Sequence, residues 1–100
     1  MEGDIRPRIR VIAGLGNPGR DFERTRHNLG FEVVDFLKGD SDFLAGGGSY
    51  YRCDTVVCSV KIVLLKPTTY MNRSGIAVRQ IVEAEDLSPE EVLIITDDFN

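Results

Sequence analysis

One histidine stands in this 100-residue chain, His27, within Thr25-Arg26-His27-Asn28-Leu29-Gly30. Imidazole is the one side chain whose ordinary pKa, near ~6.5, lets it exchange a proton close to neutrality. Acid-base chemistry in this protein would start there. Arg26 beside it would depress that pKa and Asn28 can fix a ring nitrogen, neighbours that suit a neutral, oriented base. Taken alone, such a histidine reads as an exposed loop residue, so its partners must come from elsewhere in the chain. Asn17, Asn72 and Asp97 qualify. One imidazole, one carboxylate and two amides can make a hydrolytic site: a base, a group that orients it, and donors for a carbonyl oxygen. Singly, each has a simpler reading. Asn17 before Pro18 is a turn former, Asn72 a cap for a helix starting near Ser74, Asp97 the start of a turn, and Met71 a core residue.

The elements that would hold these residues follow from periodicity. Ile9, Val11 and Ala13 alternate with Arg10, Ile12 and Gly14 as a first strand. It runs into Gly14-Leu15-Gly16-Asn17-Pro18-Gly19, which fits the G-x-G-x-x-G template for dinucleotide binding. That template needs a helix to open at the glycines so that its N-terminus can hold the pyrophosphate. Here Pro18-Gly19 is a turn signal, and the apolar spacing Phe31, Val34, Phe36, Leu37 declares a helix only from about Asn28 to Lys38, ended by Gly39. The acid for the ribose would have to be Asp35, inside that helix. A nicotinamide-binding reading is therefore weak.

Asp40-Ser41-Asp42 and Gly46-Gly47-Gly48 mark a loop. Tyr50 to Val60 and Lys61 to Lys66 read as an antiparallel hairpin, with Pro67 stopping the second strand. A helix follows from near Ser74 with Ile76, Ala77, Ile81 and Ala84 as its apolar face. Ser88-Pro89-Glu90-Glu91 is a capping box with proline at the first helical position, predicting one helical turn. Val92-Leu93-Ile94-Ile95 is a continuous apolar run, as in a strand buried on both faces. If the strands run parallel, Asn17, Asn72, Asp97 and the His27 loop share the carboxyl edge of the sheet, where open α/β folds bind ligands.

With 42% hydrophobic residues, the chain is large enough for one modest core. The longest apolar runs are strand-sized, so no membrane span is expected, and Met1-Glu2-Gly3-Asp4 lacks the basic and apolar parts of a signal peptide. Cys53 and Cys58, five apart in an expected strand, would face opposite sides, which speaks against a disulfide or metal pair and for a reducing cytoplasm. The net charge of −4 hides a gradient. Residues 1–30 hold six arginines against four acids, residues 31–80 six bases against five acids, and residues 81–100 seven acids and no base. The acidity is local to the last fifth, and the arginine-rich first third can still meet phosphate.

Four strings carry a more specific signal: Val11 to Gly19, Thr25 to Gly30, Lys66-Pro67-Thr68-Thr69-Tyr70-Met71-Asn72-Arg73-Ser74-Gly75, and Asp97-Asp98-Phe99-Asn100. In order and spacing, from about Ile9 to Asn100, they closely resemble bacterial-type peptidyl-tRNA hydrolases. The resemblance implies an α/β fold, a single domain with a twisted mixed β-sheet flanked by helices, about twice this length. Residues 1–7 would then be an N-terminal tail and residues 8–100 the N-terminal part of that domain, truncated at residue 100. The implied reaction is hydrolysis of the ester joining peptide to tRNA in peptidyl-tRNA, which recycles tRNA during translation, with no metal or organic cofactor. By the same resemblance His27 is the general base and Asp97 orients its imidazole. Asn17 and Asn72 hold the peptide backbone and ester carbonyl, and Tyr70 and Met71 line the peptide channel. In the family the pattern continues past the position of Asn100 with a Leu-Pro turn, a glycine-rich segment bearing a further site asparagine, and a basic region that engages tRNA. Phe99 and Asn100 stand where many relatives have Leu and Asp. A cytoplasmic monomer acting on peptidyl-tRNA, with no membrane partner, is the expectation, and residues 1–100 alone are expected to hydrolyse little. The alternative is an RNA-binding, splicing-factor-like member of the same fold without catalysis.

Overall fold

Strand β1 (Val11–Gly14) runs through the middle of a sheet, and all four of its residues are buried. The computed structural model describes residues 8–16, 29–69 and 73–96. After β1 come α1 (Leu29–Leu37), β2 (Leu44–Gly48), β3 (Tyr50–Val57), β4 (Val60–Pro67), α2 (Ser74–Ala84), a 3₁₀ turn (Pro89–Glu91) and β5 (Val92–Ile95). The five strands lie in the order β2-β3-β4-β1-β5. β1 pairs in parallel with β4 (Val11 opposite Val63) and with β5 (Val11 opposite Val92), whereas β2-β3 and β3-β4 are antiparallel. The sheet is therefore mixed, as expected, and the three parallel strands end on one edge.

Alternation along the strands feeds two apolar layers. Val11, Ala13, Tyr50 and Leu65 pack against Ala77 and Ile81 of α2 on one face. Ile12, Cys53, Ile62 and Leu64 pack against Val34 of α1 on the other. Burial of this kind stabilises by about 1.5–3 kcal/mol for each large side chain. At the end of α1, Gly39 takes φ +58°, the left-handed conformation that stops a helix. The capping box also forms, with the Ser88 amide donating to Glu91 Oε1 at 2.9 Å.

Several expectations need correction. The triple glycine is a strand, not a loop. A Cβ at Gly48 would fall 2.7 Å from Cε2 of Tyr50, and one at Gly46 would meet the same ring. The bare glycines let the buried Tyr50 ring lie across β2, and Gly47, at φ +86°, sits where the register shifts. The Ser49 amide, donating to Gln80 Oε1 at 2.7 Å, ties this hairpin to α2.

The β3-β4 turn falls at Cys58-Ser59 rather than at residues 60–61, so Cys58 belongs to a turn and not to a strand. Both turn residues have positive φ, 51° and 68°, as a two-residue type I′ connection requires. Neither is a residue that favours this region. Replacing the pair by Asn-Gly is expected to raise stability by about 1 kcal/mol, read as a higher urea midpoint with an unchanged slope; an unchanged or lower midpoint would refute it.

Two of the four residues expected on the apolar face of α2, Ala77 and Ile81, are on it, and two are not. Ser74, Ala77 and Ile81 are buried, with Val78 and Val82 packed beside them, while Ile76 and Ala84 are exposed. Stacking at three- and four-residue spacing keeps 74, 77/78 and 81/82 in one stripe and turns residue 76 away. In α1 Phe36 is likewise outside the stripe, at 83% exposed. β5 is not buried on both faces: Leu93 and Ile94 are 45% and 47% exposed, because β5 is an edge strand with β1 as its one neighbour among the described residues.

Candidate functional site at the carboxyl edge of the sheet

Gly14, Pro67 and Ile95 end β1, β4 and β5 on the same edge of the sheet. At that edge the Leu15 amide donates to the carbonyl of Ile95 at 2.9 Å, extending the β1-β5 ladder one residue beyond β1. Leu15, Ser74, Gly75 and Ile94 line one wall-to-wall apolar groove of about 380 Å³, so the start of α2 reaches the same place. The start of α1 reaches it too. A Cβ on Gly30 would lie 2.5 Å from the carbonyl oxygen of Ile95 and would also meet the backbone of Leu15. Both helices thus present their N-terminal ends, the positive ends of their dipoles, at the edge where three parallel strands finish.

The residues singled out for chemistry, Asn17, His27, Tyr70, Met71, Asn72 and Asp97, all lie outside the described residues, as does Asn28. What the structure describes is the frame on either side of them. Asn17 follows Leu15 by two positions, His27 precedes Gly30 by three, and Asp97 follows Ile95 by two. Tyr70 to Asn72 join Thr69, just past β4, to Arg73, which is the residue at the N-cap position of α2 and makes no side-chain cap bond.

Two features of the frame carried no signal in the sequence reading. Lys66, on the α1 face of β4, sends its ammonium to 2.7 Å from Asp35 Oδ1, between the rings of Phe31 (5.5 Å to the centroid) and Phe43 (4.7 Å). This joins α1 to β4 through an ion pair and two cation–π contacts, each of the latter about 0.5–1 kcal/mol at partly exposed sites. Asp35, the acid that a dinucleotide reading would need for the ribose, is thereby engaged by Lys66. The second feature is Thr69 Oγ1, a buried side-chain oxygen without a hydrogen-bond partner among the described residues, one residue before Tyr70. Unpaired buried hydroxyls cost about 1–3 kcal/mol.

Elsewhere the titratable groups read as structural. Cys53 is buried, which pushes its thiol pKa up against the lowering effect of a hydrogen bond with Ser41. Since the thiolate is the nucleophile, Cys53 is a core residue rather than a reactive one. Hydrogen bonding to Asp54, aided by Glu85, holds the Arg52 guanidinium above its ordinary value. Arg52 reaches Asp54 at 2.8 Å and Glu85 at 3.1 Å, linking β3 to the end of α2 away from the carboxyl edge. Among the described residues, no helix is long and apolar enough to cross a membrane.

This frame can be set beside known proteins. The solved peptidyl-tRNA hydrolase of Acinetobacter baumannii superposes with a TM-score of 0.82 at 33% identity, over 98% of this chain and 52% of that one. The peptidyl-tRNA hydrolases of Clostridium beijerinckii and Aquifex aeolicus are 40% and 38% identical over 92 and 96 residues. Those alignments take in 90% and 92% of this chain but 48% and 49% of the relatives, so the chain spans about half the length of the curated relatives it matches. The profile of the peptidyl-tRNA hydrolase family runs across residues 11–100, from the start of β1 to the last residue. Fold, sequence and profile converge on one statement: this chain belongs to the peptidyl-tRNA hydrolase family.

Proposed function

We propose that the protein hydrolyses the ester between peptide and tRNA in peptidyl-tRNA, with His27 as general base. Family membership supports this, and the observation that carries it is the meeting of β1, β4, β5 and the first turns of α1 and α2 at one sheet edge. Each of the six residues of interest lies within three positions in sequence of one of those ends. An ester has a good leaving group, so an activated water and donors for the developing oxyanion are sufficient chemistry.

In this reading neutral His27 takes a proton from water as the water attacks the ester carbonyl carbon. Asp97 holds the imidazole in the productive tautomer and stabilises the imidazolium as it forms. Amides of Asn17 and Asn72 donate to the carbonyl oxygen and the peptide backbone. Collapse of the tetrahedral intermediate expels the ribose oxygen, which regains a proton from His27. Tyr70 and Met71 supply an apolar wall for the peptide, and contact with backbone rather than side chains makes selection among peptides weak. The tRNA is the nucleic-acid partner, the acting unit is a monomer, and the substrate places the activity in the compartment of translation.

The test is release of peptide from an N-blocked aminoacyl-tRNA by the protein as its gene encodes it, with and without His27→Ala. Collapse of the rate in the variant supports the reading, and an unchanged rate refutes it. RNA affinity without hydrolysis in the unaltered protein would favour the binding-only alternative.

A further inference from the structure

Glycine at position 30 is out of place on local grounds. It lies in the first turn of α1, where alanine would make the better helix. Gly75, in the first turn of α2, has open space where a Cβ would go. Gly30 has none: its missing side chain would meet the amide nitrogen and carbonyl of Leu15 and the carbonyl of Ile95. Gly14 answers it from β1, for a Cβ there would meet the Gly30 carbonyl and lie 3.0 Å from Val34 Cγ1. These neighbours are backbone atoms held by the 2.9 Å Leu15-to-Ile95 hydrogen bond, so they cannot swing aside as a flexible side chain would. Glycine is what allows a helix and two strands to meet backbone to backbone.

We infer that Gly30 is a positioning residue: its bare Cα sets the spacing between the three segments that carry His27, Asn17 and Asp97. The inference rests on the proposed roles of those residues. Gly30 touches neither substrate nor reacting atoms. A methyl group would drive the first turn of α1 outward from β1 and β5, and His27, three residues upstream, would be displaced from the Asp97 and Asn17 segments. Misplacement by about 1 Å costs up to roughly a hundredfold in rate when geometry controls the reaction.

The experiment compares Gly30→Ala with Ile81→Val, which trims the core on the opposite face of the sheet, in the protein as its gene encodes it. Fold is checked by circular dichroism, kcat and KM by peptide release, and the imidazole environment by the Cε1 proton resonance of His27, assigned as the signal that His27→Ala removes. Gly30→Ala is expected to lose about ten- to a hundredfold in kcat, keep KM within about twofold, and shift the His27 resonance. Ile81→Val is expected to lower thermal stability while kcat and the resonance stay put. A folded Gly30→Ala protein with unaltered kcat and resonance overturns the inference. Should Gly30→Ala fail to fold, Val34→Leu decides, since a larger side chain at this buried position lifts α1 one turn further along: a lower kcat at constant KM with a moved resonance supports the inference, and no change overturns it. His27→Ala, assayed alongside, tests the underlying reading separately. If that variant keeps full activity, the proposed site and the positioning role fall together; if it is inactive while Gly30→Ala is normal, the positioning role alone falls.

Discussion

Replacing His27 by alanine is expected to lower the rate of peptide release by about two to four orders of magnitude, the usual contribution of a positioned general base. The effect should fall on kcat more than on KM, because a proton acceptor acts in the transition state and contributes little to ground-state binding. Only the neutral imidazole can accept the proton, so the rate of the unaltered protein should rise with pH through the histidine titration and then level off. His27→Ala should lose that inflection. A rate left within about threefold, or an inflection that survives the substitution, would place the base elsewhere.

The second large effect concerns the core. Leu65→Ala is expected to lower stability by about 2–5 kcal/mol, the range for buried leucines whose surroundings relax only partly. Leu65 is fully buried, opposite Ala13 on β1 and Arg52 on β3, and packs in the layer with Tyr50, Ala77 and Ile81. Ladders on both sides hold its backbone, so collapse into the cavity is restricted. The loss corresponds to a fall of roughly 4 °C or more in the thermal midpoint, the more so the smaller the cooperative unit. A shift below about 2 °C would mean that the α2 layer is not packed as described. The surface ion pairs offer a contrast: an exposed pair such as Arg52 with Asp54 contributes about 0–1 kcal/mol.

Strands and helices were legible where local chemistry decides them. β1, α1 and the Ser88 capping box follow from alternation, apolar spacing and side-chain caps, and each appears within a residue or two of its expected place. What escaped depends on partners distant in sequence. β2 is a strand because Tyr50 packs over its glycines, and nothing within Gly46-Gly47-Gly48 says so. The turn at Cys58-Ser59 carries no glycine or asparagine to announce it. β5 reads as a central strand from its apolar run, yet its exposure is set by which strands flank it. For the site, residue types and spacing were enough to nominate His27, Asn17, Asn72 and Asp97. The contact of Gly30 with Leu15 and Ile95 was invisible, since a glycine required by a neighbour across the fold looks like any other. Lys66 between two phenylalanines was hidden for the same reason.

The sheet order also bears on how the protein is made. β1 is the first of the described strands to be synthesised, yet its ladder partners are β4 and β5, so neither pairing is available to it until Val63 and then Val92 have been made. β3 and β4, joined by two residues, can pair as soon as both are out. At about 5–20 residues per second, the apolar segment Val11 to Gly14 therefore waits several seconds without its neighbours. Among the described strands, the one whose residues all end up buried is the one that waits longest for its partners during translation.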